Sequence, residues 1–125
     1  MARGAAMIHI REIDHVVLVC ADLERMVGFY RDVLGCPVES AVPSLVQLRA
    51  GRSLVDLVPG GTAGGRNMDH LCLRVEPFDG AAIAAHLRRH GVDPGEVVPR
   101  SGADGAGPSM YIHDPEGNML ELKGP

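Results

Sequence analysis

Ile13-Asp14-His15-Val16-Val17-Leu18-Val19 decides the fold, because the chain writes it twice: Met68-Asp69-His70-Leu71-Cys72-Leu73-Arg74-Val75 repeats the pattern in the second half. Both stretches read apolar-Asp-His and run on as a strand, and a self-similarity of this kind fixes architecture before any residue is given a role. Each strand leads to an aspartate able to cap a helix, Asp22 and Asp79, and each helix closes on a glycine suited to a left-handed cap, Gly35 and Gly91. The first helix places Leu23, Met26, Val27, Tyr30, Val33 and Leu34 on one stripe, whereas the second has only Ile83 and Leu87 amid alanines. Three strand-like runs follow each helix: about 37–42, 45–50 and 52–58 in the first half, 96–100, 109–113 and 118–123 in the second. Gly117 in Asp114-Pro115-Glu116-Gly117-Asn118 supplies the positive φ that the last turn needs. The expected fold class is therefore α+β, with two tandem βαβββ modules at about 12–59 and 68–123 and a linker at 60–67, inside one domain spanning 1–125.

Composition narrows the function. With 125 residues, 46% of them hydrophobic, the chain can bury one core. A net charge of −4 offers no basic surface for phosphate neutralisation, so no nucleic-acid partner is expected. No apolar run reaches the roughly 20 residues of a membrane span, and Met1-Ala2-Arg3-Gly4-Ala5-Ala6-Met7 has no apolar core like a signal peptide's. A cytoplasmic location with no membrane partner is the expectation. Cys20, Cys36 and Cys72 are scattered without CxxC spacing and read as reduced core thiols. Aromatic residues make up 3%, too few for a base-stacking platform. One lysine against eleven arginines reflects coding bias, without bearing on mechanism.

Two glycine-rich stretches punctuate this scheme. Pro59-Gly60-Gly61-Thr62-Ala63-Gly64-Gly65 lacks the Lys-Ser/Thr ending of a phosphate loop and is followed by a strand, so it reads as a linker. The segment 101–108 is either a plain surface loop or a cover over a site.

Alternation assigns faces. Along the first strand Val16, Leu18 and Cys20 share one face, which should carry the helix, leaving His15, Val17 and Val19 on the open side. The second copy sends Leu71, Leu73 and Val75 to its helix, with His70, Cys72 and Arg74 on the open side. In the closing strands Asp56 alternates with Val55 and Leu57, and Glu121 with Leu120 and Leu122. A mid-strand carboxylate among apolar neighbours is costly to bury unless paired. Each module thus presents one histidine and one carboxylate, a mixed nitrogen and oxygen set suited to one divalent ion such as zinc, nickel, cobalt, manganese or iron(II). Taken singly, each histidine also reads as a plain hydrogen-bonding residue, and Asp14 and Asp69 as turn caps.

These residues resemble the vicinal oxygen chelate superfamily, which includes glyoxalase I, extradiol dioxygenases, fosfomycin-resistance enzymes, methylmalonyl-CoA epimerase and bleomycin-resistance proteins. The resemblance runs from about Ile13 to Leu122 and rests on Ile13-Asp14-His15, Phe29-Tyr30-Arg31-Asp32-Val33-Leu34-Gly35, Met68-Asp69-His70 and 114–122. It implies modules curving into an open mixed sheet around a metal, completed in a homodimer. By the same resemblance His15, His70 and Glu121 match metal ligands, and Asp56 falls where glyoxalase I places a glutamate. The aspartate is a departure that leaves four-ligand and three-ligand sites both open.

The chemistry implied is chelation of adjacent substrate oxygens to the metal, with Glu121 or Asp56 shuttling a proton in a glyoxalase-like lyase or isomerase acting on a small molecule. An iron extradiol dioxygenase would use His15, His70 and Glu121, with Tyr111 or His113 as acid or base. Fosfomycin-type thiol transfer draws on Ser109 and Tyr111, which resemble phosphonate contacts, and is opposed by Val17 in place of a threonine and by the stop at Pro125. A metal-free, drug-sequestering protein is the non-enzymatic alternative. Arg74 on the open face, with Arg49 or Arg52 near strand ends, is a candidate for a substrate carboxylate.

Overall fold

The computed structural model describes residues 12–61, 68 and 70–125; Asp69, the start of the chain and most of the expected linker lie outside them. The first module runs β1 (His15–Cys20), α1 (Leu23–Gly28), a π-helical turn (Phe29–Val33), β2 (Val38–Val42), β3 (Leu45–Ala50) and β4 (Ser53–Pro59). The second runs β5 (His70–Arg74), α2 (Gly80–Arg89), β6 (Val98–Arg100), β7 (Gly107–His113) and β8 (Met119–Lys123). Each module forms a four-stranded mixed sheet, ordered β1-β4-β3-β2 and β5-β8-β7-β6. The opening strand is an edge, paired in parallel with the closing one. Both copies share one register: Val17 faces Asp56, and Cys72 faces Glu121, each partner lying two residues beyond its histidine. Asp56 and Glu121 are therefore equivalent positions of the repeat.

The face assignments follow from this pairing. Leu18, Cys20, Val55 and Leu57 are buried on the helix side of the first sheet, and Ile112, Leu120 and Leu122 in the second, forming one continuous core with Met26, Tyr30 and Leu87. On the open side Val17 and Val19 are 49% and 40% exposed. Asp22 caps α1 by accepting from the Arg25 amide at 3.0 Å, and Asp79 caps α2 by accepting from the Ala82 amide at 3.1 Å. Gly35 and Gly91 adopt φ of 74° and 72°, which only glycine takes without strain.

The first helix departs from the expected stripe. After Gly28 the backbone widens into a π-helical turn, in which the Leu34 amide reaches the Phe29 carbonyl at 3.2 Å. Phe29 still follows on α1 and is buried beside Tyr30 in edge-to-face contact, whereas Val33 and Leu34, beyond the widened turn, lie only partly buried. A 3.6-residue period does not anticipate that turn. Strand limits also move: β6 begins at Val98 and not near 96, and β7 begins at Gly107.

The turn after β7 joins the modules. The Glu116 carboxylate is buried and accepts the Ala21 and Asp22 amides, both at 2.7 Å, at the start of α1. Tyr30 donates its hydroxyl to Asp114 at 3.0 Å, and Asp114 also accepts from the Glu116 and Asn118 amides and the Asn118 side chain. From the other side, the His86 ring donates to the Val33 carbonyl at 2.8 Å.

Candidate functional site

Three cross-strand rows make up the open face of the second sheet: His70, Met119 and His113, then Cys72, Glu121 and Tyr111, then Arg74, Lys123 and Ser109. His70 Nε2 lies 3.4 Å from Glu121 Oε1. The other Glu121 oxygen accepts from Ser109 Oγ at 2.7 Å, and both residues are buried. Ser109 thus anchors one carboxylate oxygen and leaves the other toward His70. The Tyr111 ring packs edge-on against His70, centroids 5.8 Å apart, and carries the Arg100 guanidinium over its face at 4.5 Å.

On the first sheet the equivalent row is Val17, Asp56, Gln47 and Ser40. Ser40 donates to the Gln47 amide oxygen at 2.8 Å, and the Gln47 amide nitrogen donates to Asp56 Oδ2 at 3.3 Å. Asp56 is 5% exposed, and its Oδ1 is buried with no hydrogen-bond donor. An idle buried carboxylate oxygen wants a cation. His15, one row away on the same face, donates from Nδ1 to Asp14 at 2.8 Å, which directs Nε2 outward. That hydrogen bond, with the negative charge of Asp56 adding to it against partial desolvation, holds the His15 imidazole above its ordinary pKa.

The chain therefore brings its expected ligands together in two pairs. His70 meets Glu121, and His15 feels Asp56, but among the described residues no three His, Cys, Asp or Glu side chains converge. The mixed nitrogen and oxygen donors and the orphaned Asp56 Oδ1 are of the chemistry that fits a divalent ion.

The remaining expectations sort by contact. Arg74 pairs with Asp104, and more loosely with Glu76 at 3.9 Å. Arg49 is taken up by Glu39, and Arg52 lies 3.4 Å from Glu12. Cys20 and Cys36 are buried free thiols as expected, but Cys72 is exposed on the open face and is no core residue. Partial desolvation by its neighbours raises the Cys72 thiol's pKa, and the charge of Glu121 adds to the rise. A cavity of about 930 Å³ is lined by Val16, Leu71 and Ile83 together with His15, Cys72 and Arg74, but not by Asp56, His70 or Glu121. Strand alternation alone does not single out Gln47 or Arg100. A polar residue between Val46 and Leu48 was the available signal for Gln47.

Residues 12–122 match the family model of the Glyoxalase/Bleomycin resistance protein/Dioxygenase superfamily. The chain belongs to that superfamily. This superfamily member is 30% identical to a glyoxalase domain-containing protein of Mycosarcoma maydis, over 96% of this chain and 72% of the relative. It is also 30% identical to mitochondrial methylmalonyl-CoA epimerase of Mus musculus, over 89% and 71%. Among solved structures, an integron cassette protein from the mobile metagenome of V. cholerae superposes with a TM-score of 0.81 at 29% identity, covering 94% of this chain and 98% of that one. Superfamily members commonly use a divalent metal. Among the described residues no helix is long and apolar enough to cross a membrane.

Proposed function

We propose that the chain is a divalent-metal-dependent, glyoxalase-like lyase or isomerase that binds a small substrate through adjacent oxygens. Its ligands are His15 and Asp56 from one copy of a homodimer, with His70 and Glu121 from the other. The single observation that carries this reading is a carboxylate facing, at equivalent register in both modules, the residue two beyond each histidine, Asp56 keeping one buried oxygen unused. Exposed Val17 and Val19 on edge strand β1 support a second copy covering this face.

A bound divalent ion would supply Lewis acidity to the substrate's paired oxygens. Glu121, fixed by Ser109 at one oxygen, is placed to take a proton from an acidified substrate carbon at the other and to return it. Asp56 and its Gln47 partner complete the charge balance, while Tyr111 and Arg74 line the face that the substrate meets. Extradiol-type cleavage is the second reading, favoured by Tyr111 as an acid or base in contact with the His70 ring.

Elemental analysis of untagged protein, followed by assays of hemithioacetal isomerisation and catechol cleavage, tests the proposal. One divalent ion per chain and isomerase turnover are expected, with Glu121→Gln losing both. Full activity and full metal content in Glu121→Gln would refute the assignment.

A further inference from the structure

The chain has one lysine, and that lysine is 2% exposed. Lys123 stands two residues beyond Glu121 on the same face of β8, roughly 7 Å further along the strand. Among the described residues its Nζ donates only to the Gly124 carbonyl, at 3.3 Å, and no carboxylate lies within 4 Å of it. A buried ammonium held by one long bond to a carbonyl is an expensive arrangement in a folded protein. Arg74 and Ser109 flank it in the same cross-strand row. The segment 101–106 lies over it: a Cβ on Gly102 would come within 2.8 Å of Lys123 Cε. That segment closes on itself through paired Gly102 and Gly105 backbone hydrogen bonds, both 3.0 Å, and is tied to β5 by Asp104 pairing with Arg74.

We propose that Lys123 and Arg74 form a covered anion site that holds a carboxylate or phosphate group of the substrate, with Asp104 occupying Arg74 until that group displaces it. The site extends the proposed substrate face. A ligand reaching from the His70 and Glu121 end carries its anionic group about two residues along β8, and the 101–106 segment lifts to admit it and closes over it. Gly102 is the position that lets backbone rest on the lysine stem.

With one lysine, selective 13C labelling gives a single side-chain Cε signal, so the site reports on itself. The metal-free full-length chain, labelled in this way, is titrated with malonate and, separately, with inorganic phosphate. Saturable movement of the Lys123 signal with either anion is expected, and the stronger of the two identifies the group. By calorimetry Lys123→Gln should weaken binding about 10- to 100-fold, and Asp104→Asn should tighten it several-fold by freeing Arg74. Removing a buried charge favours folding of the Lys123 variant, and Asp104→Asn gives an independent reading on the surface. A Lys123 signal unmoved by both anions, or equal binding in wild type and Lys123→Gln, overturns the proposal. Because these titrations need no metal, their failure is distinct from failure of the metal assignment.

Discussion

Asp56 is 5% exposed, and one of its carboxylate oxygens meets no donor, whereas Glu121 at the equivalent position has both oxygens engaged. Burying such a group costs stability unless a cation offsets it, so Asp56 is the residue at which function and folding conflict most plainly. Asp56→Asn in metal-free protein should match or exceed wild-type stability, by up to about 2 kcal/mol, while weakening divalent-metal binding at least tenfold. Thermal denaturation in chelator and metal competition check the two halves. Alternation placed Asp56 and Glu121 on the open face from sequence alone, and the repeat paired them with His15 and His70. Partners such as Gln47 and Ser40 were hidden because strand register, which the sequence does not state, decides which side chains meet. A second prediction concerns protons. Desolvation, with the charges of Glu116 and Asp114, pushes the Cys20 thiol up to about 12, and burial raises the Cys36 and Tyr30 groups as well. Each holds its proton more tightly folded than unfolded, so the stabilisation is whole below the unfolded thiol value near 9 and declines as pH rises toward 12. The melting temperature should therefore fall steadily above about pH 9, and Cys20→Ala should flatten that slope despite lowering stability at neutral pH.

Among elements, the Asp114–Asn118 turn links module to module. Its position between the last two strands was plain from Asp-Pro and Gly117, but its role was not, since the turn pattern assigns Glu116 no partner. In the fold that acid is buried and carries two 2.7 Å hydrogen bonds from the backbone that opens α1. Charge-assisted bonds of this length are the strong ones, so Glu116→Ala should cost about 2–4 kcal/mol in denaturant unfolding. Loss below 0.5 kcal/mol would show that the turn does not join the modules. The π-helical turn gives the same lesson for helices. Periodicity located the helix and most of its apolar face, but not the widened turn at its end or the burial of Phe29.

At the scale of the whole molecule, the repeat accounts for the architecture and underlies the proposed division of the site. Each module delivers one histidine and one carboxylate to its own open face, and one chain does not gather three ligands among its described residues. Two edge strands, β1 and β5, and the exposed valines of β1 are the surfaces through which a second copy would bring the halves together. Mixing two inactive variants tests this most directly. His15→Ala lacks the first-module ligand and Glu121→Gln the second, so each alone should bind little metal. After co-refolding, random pairing makes half of the dimers mixed, and each mixed dimer holds one site with all four ligands intact. The account predicts that the mixture regains about a quarter of wild-type metal content, by elemental analysis after dialysis. A mixture as empty as its parents, or a His15→Ala parent as full as wild type, would contradict it.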